Sequence, residues 1–330
     1  MWKQLSWIQT KETNPYRNLA LEEQLLLQCE PEECILYLWQ NRNTVVIGRN
    51  QNCWRECNVS NLEADGGFLA RRLSGGGAVY HDLGNLNFTF LARKKNYDVD
   101  RQLAVILRAM ELLGLKAEKT GRNDVTIDGR KFSGNAFYQT GDHCYHHGTL
   151  LVNTDGEKMA RYLNVSSSKL KSKGVASVRS RVVNLAELLP AGQETEEMIA
   201  DICECLHRSF AEVYGMKVEE WNPARLDPAA FAAGEARFAS REWKYDTSFP
   251  FEHGLEERFS WGEIQIQMAV QEGRVMQAKV YSDAMDPEWA SVLEQALTGT
   301  RYERQALMLA VEALPESVRN DICQLLEAQI

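Results

Sequence analysis

The stretch RRLSGGGAVYHDLGNLNFTF, Arg71 to Phe90, decides how the chain is read. Two arginines lead into three consecutive glycines, Gly75, Gly76 and Gly77, with strand-like runs on either side. Glycine loses the most backbone freedom on folding and has nothing to pack, so such a run is costly as mere structure. It serves best where the backbone must approach something closely, and two neighbouring cations make an anion the expected visitor. The plainer alternative is a flexible hairpin loop with two solvated arginines.

Four more stretches stand in order downstream: GRNDV (Gly121–Val125), DGRKFSGNAF (Asp128–Phe137), HHGTLLVNTD (His146–Asp155) and KGVASVRSRVVNL (Lys173–Leu185). Together with the glycine stretch, in this order and spacing, they closely resemble the lipoate–protein ligase family. The resemblance covers nearly the whole chain. It implies a fold similar to the catalytic domain of biotin–protein ligases and a reaction in two steps. A lipoate carboxylate attacks the α-phosphorus of ATP, giving lipoyl-AMP and pyrophosphate. The lysine amine of a lipoyl domain then attacks the mixed anhydride and expels AMP.

Two anions must meet in the first step, so the site has to supply fixed positive charge and close backbone donors. Lys131 follows the Asp128-Gly129 turn and matches the family lysine that bridges lipoate carboxylate and α-phosphate. The plain alternative is a solvated hairpin lysine. Arg72, by its match, contacts the activated group, with Gly77, Ala78, Val79 and Tyr80 lying against the nucleotide through their backbone. The loop is neither a Walker A motif nor a dinucleotide fingerprint. Ser74 and His81 are assigned to the lipoyl end, with Trp39 as an apolar wall; packing alone would also account for His81 and Trp39. Asn123 and Asp124 suggest phosphate and Mg²⁺ coordination, or else an Asx turn that opens a strand. Lys173, Gly174, Val175, Ser177 and Arg179 match the family loop that folds over the adenylate. The segment Ser166–Asn184 is expected to be mobile and to close over the nucleotide.

The rest of the sequence sets bounds. At 330 residues, 44% hydrophobic and 25% charged, it reads as an ordinary globular protein of two domains. A net charge of −9 argues against a nucleic-acid binder. No apolar run suits a membrane span and no signal peptide is evident, so a cytoplasmic protein is expected; separately, it is read as a monomer. Eight cysteines without a zinc-ribbon pair read as reduced, packed thiols. His143, Cys144, His146 and His147 do not make a zinc site. Neighbours on a strand face opposite ways, so one histidine is expected in the site and the other in solvent.

The predicted elements give an α+β fold: a large catalytic domain (1–245) with a mainly antiparallel sheet and flanking helices, then a small C-terminal α/β accessory domain (246–330). The spacing predicts helices over Tyr16–Cys29, Tyr97–Leu113 and Glu194–Tyr214, and a type I′ hairpin at Asp128-Gly129. Asn222–Ala236, rich in proline, alanine and glycine, reads as a linker. The resemblance implies ATP, Mg²⁺ and (R)-lipoate as reactants and lipoyl-AMP as bound intermediate. Its acceptors would be apo lipoyl domains of 2-oxoacid dehydrogenase complexes and the glycine cleavage H protein. Two rival readings are a cysteine-type octanoyl or lipoyl transferase that needs no ATP, and a non-catalytic binding relative.

Overall fold

The computed structural model describes residues 2–121, 123–164, 182–245 and 250–329. Its first eleven strands are β1 (Gln4–Gln9), β2 (Glu33–Trp39), β3 (Thr44–Ile47), β4 (Phe68–Arg71), β5 (Val79–His81), β6 (Asn85–Arg93), β7 (Glu118–Thr120), β8 (Asp124–Ile127), β9 (Arg130–Thr140), β10 (His143–Leu151) and β11 (Val218–Glu220). Eight of them form one sheet in the order β11-β1-β2-β6-β10-β9-β8-β7. The two pairings of β1 are parallel and the rest antiparallel, so the fold is the expected α+β architecture. A small second sheet, β4-β3-β5, carries the glycine stretch between its strands.

The sequence of β2, ECILYLW, is buried throughout because helices cover both faces of the large sheet. Cys34, Leu36 and Leu38 point into one core with Phe88, Phe90 and the helices Val99–Leu112 and Thr195–Tyr214. Ile35, Tyr37 and Trp39 point into the other with the helix Pro15–Gln28. That helix starts where Asn14 accepts the Tyr16 N–H and Pro15 fills a position needing no donor.

The linker expected over Asn222–Ala236 is instead structured. A 3₁₀ turn at Pro223–Arg225 leads to a helix, Pro228–Ala239, capped by the Asp227 carboxylate on the Ala229 and Ala230 N–H groups. Gly234 lets it lie close against the first helix: a Cβ there would stand 3.4 Å from Ala20 Cβ. Low side-chain bulk here serves close helix packing rather than flexibility.

The C-terminal part builds its own core. Strands β12 (His253–Phe259), β13 (Gly262–Gln271) and β14 (Arg274–Ser282) form an antiparallel sheet backed by helices Glu288–Leu297, Arg304–Val311 and Glu316–Gln329. Its core runs from Leu255 to Leu326. The unit is tied to the rest by Ser282 N–H on Asn50 O (2.9 Å), Asn50 Nδ2 on Pro287 O (2.6 Å) and Gly76 N–H on Ala284 O (2.9 Å). Arg55 pairs with Glu256 and Glu263 across the same junction.

Candidate active site

Lys131 is held by its surroundings before its side chain begins. Asp128 (φ 51°) and Gly129 (φ 73°) make the type I′ turn that starts β9. The Lys131 carbonyl accepts from Val183 N–H at 2.9 Å on the side away from β8. From this fixed backbone the side chain runs back over Gly134, where a Cβ would come within 2.9 Å of Nζ. Its ammonium meets Asp124 Oδ1 at 2.6 Å. The glycine of KFSG therefore clears the path of the lysine.

These two residues line a cavity of about 450 Å³. Around it the structure also brings together Trp39, Arg72, Gly77, Ala78, Val79, His81 and Asn123. Leu19 and Val46 complete an apolar side with Trp39 and Val79. Ser74 and Tyr80 stand behind the wall. Tyr80 packs against Tyr162 and gives its hydroxyl proton to Asn43, while Ser74 is fully buried. Lys173, Gly174, Val175, Ser177 and Arg179, with most of the expected closing segment, lie outside the described residues.

Both arginines organise backbone. Arg71 turns away and donates to the carbonyls of Gly48, Arg49, Gln51, Trp243 and Lys244. Arg72 donates to Val46, Gly75 and Gly77 carbonyls and to Ser74 Oγ. Burial pushes its guanidinium down to about 10, which leaves it charged at neutral pH. The cation beneath the glycine loop is real, and the second expected one faces elsewhere. Of the three glycines, Gly75 meets protein: a Cβ there would sit 2.2 Å from Ala284 O. Gly77 has open space where a Cβ would be, and it faces the cavity.

From Arg72 a buried chain of hydrogen bonds runs under the apolar end. Arg72 Nε donates to Ser74 Oγ (3.0 Å), Ser74 Oγ meets His147 Nε2 (2.8 Å), and His147 Nδ1 meets Glu22 Oε1 (2.9 Å). Thr89 Oγ1 donates to the same carboxylate oxygen and accepts from Trp39 Nε1. With a proton on Nδ1, His147 donates to the Glu22 carboxylate. His147 and His146 do face opposite ways, but both are buried. The expectation of one solvent-facing histidine fails because helices cover the sheet on both sides. His81 accepts from Asn41 Nδ2 at 3.2 Å, and burial pushes it down to about 3.

The family model of the lipoyl protein ligase A/B catalytic domain matches residues 14–207, more than half of the chain. The chain belongs to that family. A second model, the bacterial lipoate protein ligase C-terminus, matches residues 248–326. Among solved structures, P. falciparum LipL1 in complex with lipoate is similar over 97% of this chain and 99% of its own, with 27% identity and a TM-score of 0.83. A bipartite lipoate protein ligase from Thermoplasma acidophilum, studied with its E2 lipoyl domain, shares 25% identity over 76% of this chain and 98% of its own (TM-score 0.64). A lipoate-protein ligase A bound with ATP shares the fold, at 23% identity over 74% of this chain and 99% of its own (TM-score 0.62).

Sequence reasoning overlooked several residues that line this ligase-family cavity, and one, Glu22, that stands behind it and holds His147. Glu22 falls between Leu19 and Leu25 on the apolar face of its helix, and an acid on such a face was the available signal. Asn135, Gly148 and Thr149 come from strands whose motifs were noted without a role. Arg258, Trp261, Asp283 and Met285 belong to the C-terminal unit and close one side. No local pattern announces a wall supplied from so far along the chain.

Proposed function

We propose that this chain is an ATP-dependent lipoate–protein ligase that forms lipoyl-AMP and transfers the lipoyl group to a lysine of a lipoyl domain. The observation that carries this reading is Lys131. Its ammonium stands at the wall of a cavity that has a main-chain cradle at Gly77–Val79 and an apolar end at Leu19, Trp39 and Val46. An apolar tail with a carboxylate head suits such a cavity. With the carboxylate beside Lys131, the ammonium offsets its repulsion with the α-phosphate. The carboxylate oxygen bonds to phosphorus as pyrophosphate leaves; later the acceptor amine bonds to the acyl carbon and AMP leaves. Asp124 and Arg72 flank the Lys131 end with Asn123 and Ala78, while His81 stands against Trp39 at the lipoyl end.

Asp124 would hold Mg²⁺. It is half-exposed, and the described residues contain no group of three His, Cys, Asp or Glu that could hold a metal. One carboxylate suits an ion that takes its remaining ligands from phosphate and water. When bound, the ion supplies positive charge to the phosphates. The loop with Lys173, Gly174, Val175, Ser177 and Arg179 would add contacts to the adenylate.

The thiols support the ligase over the cysteine-type transferase. Among the described residues no cysteine lines the cavity. Burial pushes Cys34, Cys57 and Cys203 up to about 12, the opposite of an activated nucleophile. The acceptor would be a lipoyl domain, as the Thermoplasma relative is paired with one. The catalytic and accessory domains would span 1–245 and 246–330. No described helix is long and apolar enough to cross a membrane, and we assign the enzyme to the cytoplasm. Incubation with ATP, Mg²⁺, lipoate and an apo lipoyl domain should add a lipoyl mass to the acceptor lysine only when every component is present. Transfer from a thioester donor without ATP would defeat the reading.

A further inference from the structure

The motif HHGTLL supplies a residue that the mechanism above leaves without a task. His146 is fully buried, ringed by Phe88, Phe90 and Phe137 at centroid distances of 5.4, 6.0 and 4.9 Å. An imidazole in such a cage is costly unless its nitrogens are partnered. Nε2 lies 2.8 Å from Asn135 Oδ1, and Nδ1 lies 3.2 Å from Gln102 Oε1.

Burial holds the ring neutral, down to about 3, so it carries one N–H and cannot donate to both oxygens. The buried Gln102 Nε2 has no partner as placed. With that amide turned, its N–H meets Nδ1 and the ring proton stands on Nε2, aimed at Asn135 Oδ1. With Oδ1 taken, Asn135 has Nδ2 to give, and Nδ2 donates to Asn123 O at 3.1 Å. The Asn135 backbone N–H meets the same carbonyl at 2.9 Å. Asn123 Nδ2 returns a bond to Asn135 O at 3.4 Å. The next residue is Asp124, the partner of Lys131.

A second observation comes from Gly148, which pairs with Asn135 across the sheet. A Cβ on Gly148 would come within 2.8 Å of Asn135 Oδ1 and 2.4 Å of the Phe88 ring. The motif thus grips the Asn135 amide with one residue and makes room for it with another. We propose that His146 is a positioning residue: it fixes Asn135, and Asn135 fixes the Asn123–Asp124 corner beside Lys131 at the nucleotide end of the cavity. Its kinetic consequence rests on the adenylation reading; the structural coupling does not.

Two measurements test it. Without substrates, amide exchange in residues 123–127 should quicken in both His146→Phe and Asn135→Ala, because both loosen or remove the side-chain bond to the Asn123 carbonyl and leave it the Asn135 backbone N–H alone. Unchanged exchange there in either folded variant would overturn the proposal. In lipoate-dependent pyrophosphate exchange, His146→Phe should raise the KM for ATP about tenfold, the scale of one lost buried hydrogen bond. The KM for lipoate should stay within about twofold. His146→Gln, which keeps a donor, should recover part of the loss, and the double variant should be no worse than either single one. Additive losses, or equal effects on ATP and lipoate, would mean a general packing role and overturn it. If His146→Phe does not fold, Asn135→Ala carries both measurements. A wild-type enzyme that makes no adenylate would instead defeat the adenylation reading, while the exchange data would still decide the coupling.

Discussion

At the scale of single residues, Lys131 and the buried histidines make different predictions. Lys131 is half-exposed and its removal leaves no buried group stranded. Lys131→Ala should therefore keep the wild-type melting temperature yet lose adenylate formation by about 10²-fold or more, as loss of one preorganised charge does. Near-normal lipoate-dependent pyrophosphate exchange would remove Lys131 from the mechanism. His146 bears on stability. Its pKa is about 3 in the fold against 6.5 unfolded, so below pH 6.5 the unfolded chain binds the extra proton and stability falls with falling pH. At pH 5 that difference is worth about 2 kcal/mol for this histidine. His146→Phe should lose about that much less stability than wild type between pH 8 and pH 5 in urea titrations. Equal losses would mean that the ring is already charged in the folded protein. The lysine was legible in the sequence because a two-residue turn and its motif fix where it stands. The burial of both His146 and His147 was not, since strand alternation says that they part and cannot say that both sides are covered.

Elements were legible where polar and apolar residues alternate strongly. The helix Val99–Leu112 and the hairpin around Asp128-Gly129 follow from spacing and turn chemistry alone. The helix Pro228–Ala239 was hidden because a glycine stands between Phe231 and Phe238 on its packing face while most of its alanines face solvent, which leaves little hydrophobic contrast between the faces. Its start was nonetheless written as Asp227-Pro228, a cap followed by a residue that needs no donor. Gly234 provides the test. Its added Cβ would meet Ala20 at 3.4 Å and Glu23 Oε2 at 3.5 Å, ordinary contact or close to it. Gly234→Ala should accordingly stabilise by about 0.5–1 kcal/mol through helix propensity. Calorimetry that showed a lower melting temperature would mean that the two helices lie too close to take a methyl group.

For the whole molecule, the question is what the glycine loop is pressed against. Gly76 N–H donates to Ala284 O, and Met285 of the C-terminal unit reaches the cavity wall. An anion was the visitor expected from sequence; at Gly75 the neighbour is this unit's backbone, and Gly77 is left to face the cavity. Alanine at position 75 would bring its Cβ to 2.2 Å from Ala284 O and 2.5 Å from Met285 O. Main chain stands on the far side of that contact, so no side-chain rotation relieves it. No hydrophobic core includes this residue, neither those of the large catalytic part nor the one between Leu255 and Leu326. Gly75→Ala should then leave the amide protection of the large sheet and of the C-terminal core unchanged while the Gly76 amide exchanges faster and the radius of gyration rises. A variant whose catalytic core lost protection while the Gly76 amide stayed slow would place the strain inside the loop and make the contact with the C-terminal unit incidental.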